Sequence, residues 1–95
     1  MQRLGEALQE FLKRQGLKGR LRILEVCRSW HETVGEEVSR HTRVEGFKRG
    51  VLVVEVDSST WLYELSQFYK EEILEKLRAR LPGEHVSDIR FRLVR

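Results

Sequence analysis

The sequence predicts an α+β fold, a two-layer sandwich in the order helix, helix, strand, strand, helix, strand, with helices covering one face of a three-stranded sheet. Three observations predict it. Apolar residues recur at helical spacing through Ile23, Cys27, Trp30, Val34 and Val38, and again through Trp61, Leu65, Phe68, Tyr69, Ile73, Leu77 and Leu81. Between these runs, residues 42–47 and 51–57 are rich in β-formers and separated by Lys48-Arg49-Gly50. From Val86 to Val94, Ile89, Phe91 and Leu93 alternate with Asp88, Arg90 and Arg92, as a strand with one buried and one basic face requires.

At the start of the chain, Leu4, Leu8, Phe11 and Leu12 make the stripe of a short amphipathic helix from residue 3 to about 15, stopped by Gly16. A second helix comes after the Gly16-Leu17-Lys18-Gly19 break, with Gly35 as a stop or kink and with Arg20, Arg22 and Arg28 largely on its outer side. Lys48-Arg49-Gly50 is the tip of a hairpin, read as a three-residue loop with glycine where positive φ is wanted. In the second strand Leu52, Val54 and Val56 form the core face, leaving Val51, Val53, Glu55 and Asp57 on the other. Ser58, Ser59 and Thr60 supply hydroxyl caps for one long helix, which Pro82-Gly83 ends. Trp30 and Trp61 both sit on apolar stripes and read as core anchors rather than exposed stacking platforms. If the second and third strands run parallel, the connection through the long helix should be right-handed.

Composition narrows the function classes. A chain of 95 residues with 40% apolar content supports one small domain over residues 1–95. Cys27 is the only cysteine, so there is no intrachain disulfide, and a reducing cytosol is the expected compartment. No apolar run reaches the ~20 residues of a membrane span, and the first 25 residues show no signal-peptide pattern. No P-loop pattern is present, so any action on a nucleotide-driven machine must come from binding. Cys27 and His31 lie four apart on one helix, but no further ligands complete a metal set, and a core thiol is the simpler reading. Ser58, His41 and Asp57 are the parts of a nucleophile, base and acid, yet strand ends and helix caps account for them equally well. A protein without catalytic activity, metal or cofactor is expected.

Charge is the strongest functional signal. The chain holds 18 Lys and Arg against 15 Asp and Glu, a net charge of +3. Distribution matters more than that total. From Lys13 to Arg28 the run of Lys13, Arg14, Lys18, Arg20, Arg22 and Arg28 is opposed by Glu25 alone. Lys48 and Arg49 at the hairpin tip form a second candidate patch, and Arg90 and Arg92 join the first only if sheet and second helix share an edge. Phosphate contact through these residues, without base readout, predicts weak affinity in the ~10⁻⁴ to 10⁻⁶ M range. Gly16-Leu17-Lys18-Gly19 matches GxxG, although a plain helix-to-helix turn explains four residues as well.

The series Trp30, Val34, Gly35, His41, Thr42, then Gly50 and Leu52, then Ser58, Ser59, Trp61 and Leu65, and finally Asp88, Ile89 and Phe91 resembles the DciA family of small bacterial proteins. The resemblance implies a KH-like fold, close to type II, and a role in loading or operating the replicative DNA helicase. It thus implies two partners, that helicase and single-stranded DNA. A KH domain clamps nucleic acid with a GxxG loop between adjacent helices, whereas Trp61 to Leu81 here reads as one uninterrupted helix. Family members commonly add a basic tail after the domain. This sequence stops at Arg95, so modest DNA affinity is expected. A KH-like RNA-binding module of ribosome assembly or RNA handling is the alternative, and a pure protein-interaction domain a third reading.

Overall fold

A computed structural model describes residues 16–94. The helix expected from residue 3 to about 15 lies outside the described residues, as do Lys13, Arg14 and Arg95.

Helix α1, Leu17–Arg40, leaves extended backbone at Gly16, whose carbonyl accepts the first helical bond from the Arg20 N–H at 2.9 Å. Gly16 to Gly19 is therefore the opening turn of α1. At Gly35 the backbone turns to φ 87°, ψ 173°, conformations open to a residue without Cβ, so α1 is two helical pieces joined at a kink. The first piece buries Ile23, Val26 and Trp30. A polar chain fixes the second: the Trp30 indole N–H donates to Thr42 Oγ1 at 2.9 Å, and the Thr42 hydroxyl donates to the Val38 carbonyl at 2.9 Å. Both groups are buried, so their pairing avoids the ~1–3 kcal/mol cost of a lost partner.

Strands β1, Thr42–Lys48, and β2, Val51–Val56, pair antiparallel, and β3, Asp88–Leu93, pairs parallel to β2, giving the order β1-β2-β3. Thr42, Val44, Leu52, Val54, Val56 and Ile89 are buried on the covered face. A register shift between Val44 and Gly46 bends β1, and after it Phe47 opposite Leu52 takes the covered face. Lys48 pairs with Val51, so the hairpin loop has two residues, Arg49 at φ 54° and Gly50 at φ 82°, instead of the three expected. Positive φ at both positions matches the strand twist.

The helical run after β2 has three parts: α2, Ser59–Glu64, a π-helical turn, Leu65–Tyr69, and α3, Lys70–Arg80. Ser58 Oγ caps it by accepting the Trp61 N–H at 3.2 Å. The π turn corrects the expected long helix. Its extra residue rotates the chain beyond it, so Phe68 is 63% exposed and Tyr69 45% exposed, where a uniform α period places both inward. Leu65, Ile73, Leu74, Leu77 and Leu81 carry the burial instead. Trp61 is half-buried against the core, with Leu62 and Phe91. The result is the expected α+β sandwich, compatible with a small KH-like fold.

Candidate nucleic-acid interface

The expected cations fall into three places. α1 packs along β1 on the covered face, where Trp30 reaches the Phe91 ring of β3 with centroids 6.1 Å apart, whereas Arg90 and Arg92 alternate with Ile89 and Phe91 onto the other side of β3, which separates them from the helix. Around α1 itself successive residues diverge by about 100°, so Arg20 and Arg22 point apart. Arg22 faces the sheet: its guanidinium carbon lies 4.9 Å from the Phe47 ring centroid, and its Nε donates to Glu84 Oε1 at 2.9 Å. Arg28 faces outward beside Leu21, Leu24 and Glu25. Lys18 and Arg20 are exposed in the first turns.

Through Phe47, Arg22 brings α1 to the hairpin, where Lys48 and Arg49 are exposed. This end is rigid for reasons that can be named. Gly50 is buried, and its carbonyl accepts from the Ser87 N–H at 2.8 Å, the Asp88 N–H at 3.3 Å and the Ser87 hydroxyl at 3.1 Å. A Cβ there would stand 2.9 Å from both the His85 carbonyl and Ser87 Oγ, so the contact admits only glycine. Arg78, which sequence reasoning did not single out, holds the facing loop by donating from Nε to the Val86 carbonyl at 2.7 Å and from Nη2 to the Ser87 carbonyl at 3.3 Å. Arg22, Lys48, Arg49, Arg78 and His85 thus gather at one end of the sandwich, with Glu84 the paired acid among them. Neither Lys48 nor Arg49 makes an ion pair among the described residues.

The β3 cations are differently placed. Arg92 Nη2 bonds Glu45 and, at 3.3 Å, Glu55 Oε2 on the uncovered sheet face. Burial pushes the Glu45 carboxyl above its usual range, the Glu55 charge adds to this, and Arg92 opposes it. Arg92 is therefore committed to two carboxylates. Arg90 lines a polar cleft of about 230 Å³ with Ser66, Lys70 and Asp88. Lys70 bonds Asp88 at 2.9 Å and holds its carboxyl below the usual range, with Arg90 contributing less.

The other candidate chemistries resolve into structural contacts. His41 Nδ1 lies 3.1 Å from both Asp57 oxygens and its ring stacks on Trp61, centroids 5.4 Å apart, while Ser58 serves as the helix cap. His31 Nδ1 meets Ser39 Oγ at 2.6 Å. Burial raises the Cys27 thiol, which disfavours the thiolate that metal binding needs. Among the described residues no three His, Cys, Asp or Glu side chains converge as a metal site, and no helix is long and apolar enough to cross a membrane.

Comparison with known proteins agrees with the resemblance drawn from sequence. The family model described as Dna[CI] antecedent, DciA, matches residues 3–91. A UPF0232 protein of Mycobacterium tuberculosis (strain H37Rv) is 28% identical over 90 residues, 95% of this chain and 48% of that protein. One from Corynebacterium glutamicum is 27% identical over 88 residues, 93% of this chain and 49% of that protein. One from Bifidobacterium longum is 24% identical over 70 residues, 74% of this chain and 44% of that protein. The chain spans about half the length of the curated relatives it matches.

Proposed function

The chain belongs to the DciA family, and from that membership we propose that it is a non-enzymatic adaptor of DNA replication, binding the replicative helicase and promoting its loading on single-stranded DNA. The observation that carries the proposal is the family match over residues 3–91. DNA contact has separate support in the hairpin end, where Lys48 and Arg49 are exposed on a platform locked by Gly50. Cations held on a rigid element lose little entropy on meeting a phosphate.

The chemistry limits the mechanism. With no P-loop in the sequence, stimulation of loading comes from binding energy that favours one helicase state over another. The adaptor itself then needs no ATP. DNA binding is sequence-tolerant and salt-dependent, because backbone phosphates are contacted and base edges are not.

Co-sedimentation of the purified chain with the source organism's replicative helicase, without DNA or ATP, tests the proposal. Joint sedimentation at tens of micromolar is expected. Separate sedimentation of two folded proteins contradicts it. A competition between single-stranded DNA and structured RNA of equal length, in which RNA wins, supports the RNA-binding alternative.

A further inference from the structure

The face of the sheet that the helices leave uncovered has its charges unevenly placed. Beside the hairpin the strand register aligns two rows on that face, Lys48 with Val51 and Asp88, and Gly46 with Val53 and Arg90. Successive rows lie about 7 Å apart, and neighbouring strands about 5 Å apart. The next row, Arg43 with Glu55 and Arg92, is balanced, because Arg92 bonds both Glu55 and the neighbouring Glu45. The hairpin half is not. Lys48, Arg49 and Arg90 are exposed, and their side chains make no hydrogen bond or ion pair among the described residues. Asp88, the one acid in these two rows, is already paired with Lys70 at 2.9 Å. Half-buried Val51 and Val53 lie on the middle strand between the free cations.

Cations on the two outer strands with an apolar middle strand suit a linear polyanion that crosses the sheet. Running from the hairpin tip to the β3 edge, it meets Lys48 and Arg49 at one end and Arg90 at the other, about 10 Å away across two strand spacings. Its uncharged surface then lies over Val51 and Val53. A nucleic-acid single strand offers that surface in its sugars and unpaired bases, whereas a duplex keeps its bases inside. We infer that single-stranded DNA runs across the uncovered sheet face, its phosphates held by Lys48 and Arg49 at the hairpin and by Arg90 at the β3 edge, with Val51 and Val53 beneath the nucleotides between. Resting on the DNA contact proposed above, this path adds Arg90 and the two valines to it and leaves Arg92, bound to its two carboxylates, outside. The cations of α1, on the covered side, lie off the path. No aromatic residue stands on this face among the described residues, so the bases are held without stacking on rings.

The test uses the full chain and oligo-dT, with affinity read by fluorescence anisotropy and contacts by methyl NMR. Arg90→Ala should weaken binding about three- to tenfold and flatten the log–log salt slope by roughly 0.7, the share of one phosphate. Arg28→Ala, on the outer side of α1, should change neither. Both residues are exposed, so both variants should keep the parent's melting temperature. A short oligo-dT should shift the Val51 and Val53 methyls saturably. Shifts confined to the Lys48 and Arg49 amides, with Arg90→Ala binding as the parent does, would overturn the path and leave the hairpin contact standing. No binding of oligo-dT by the parent at low salt would remove both. Tighter binding of oligo-U at the same methyls would give the face to RNA, and equally tight binding of a glutamate-rich peptide of the same charge would give it to an acidic protein segment. Either result overturns the inference.

Discussion

The hairpin end and the helical groove differ in charge, in rigidity and in what they expose. At the hairpin end Lys48 and Arg49 stand on a loop fixed by three bonds to the Gly50 carbonyl. Along the groove between α1 and the helical run, lined by Val34, Val38, Trp61, Leu65, Tyr69 and Ile73, a π turn displaces Phe68 and Tyr69 from the core and leaves apolar surface exposed, with the lining Glu72 and Lys76 paired at 3.0 Å. The first surface carries unpaired cations, while the charges lining the second neutralise each other. The cationic surface is built on the sheet and the apolar one between helices, so a small domain keeps the two apart.

The contrast breaks first at Gly50. Gly50→Ala places a Cβ against a backbone carbonyl at positive φ, and a loss of about 2–4 kcal/mol is expected from strain and overpacking together. Chemical denaturation checks it. A loss below about 0.5 kcal/mol would show that the hairpin end is not rigid. On the groove side, Trp61→Ala should cost about 2–3 kcal/mol, less than the ~3–5 kcal/mol of a fully buried tryptophan, because Trp61 is only half-buried. Trp30→Ala provides the reference for full burial, since Trp30 is 2% exposed and hydrogen-bonded to Thr42. Equal costs at the two tryptophans would mean the groove is closed in solution.

Most of the frame is legible in the sequence, and less of the surface. The alternation of Leu52, Val54 and Val56, the Gly35 kink and the Ser58 cap are local, so periodicity and residue type expose them. A uniform 3.6-residue period puts Phe68 and Tyr69 inside, and the π turn that turns them out has no comparable sequence signature. Val26 and Leu74 are buried beside the stripes the periodicity selects. The basic run on α1 reads as one cluster along the sequence, yet Arg22 turns toward Phe47 and Glu84 while Arg28 turns outward. Pairings such as Arg22 with Glu84 and Arg92 with Glu45 join residues 62 and 47 positions apart, which no local pattern reveals.

Smaller effects sharpen the contrast. Phe68→Ala removes an exposed ring and should change stability by less than about 0.5 kcal/mol, which thermal melting can check. At the β3 edge, Lys70→Ala removes the hydrogen bond that holds the Asp88 carboxyl below its usual range. A depressed carboxylate contributes stability above its unfolded pKa, near 3.9, and loses it as pH falls. Both side chains are solvent-exposed enough that melting should barely change. The Asp88 titration midpoint, followed by NMR, should instead move upward.

The account of the hairpin end is tested most directly by fluorescence anisotropy of labelled oligo-dT against the parent chain, the hairpin variant Lys48→Glu with Arg49→Glu, and the α3 variant Glu71→Lys with Glu75→Lys. The parent should bind with a log–log salt slope of roughly −0.7 per phosphate contacted. The hairpin variant should bind about tenfold more weakly with a flatter slope, a loss of about 1.4 kcal/mol. The α3 variant should bind at least as well as the parent. Undiminished binding by the hairpin variant, or no DNA binding by the parent even at low salt, would contradict the account.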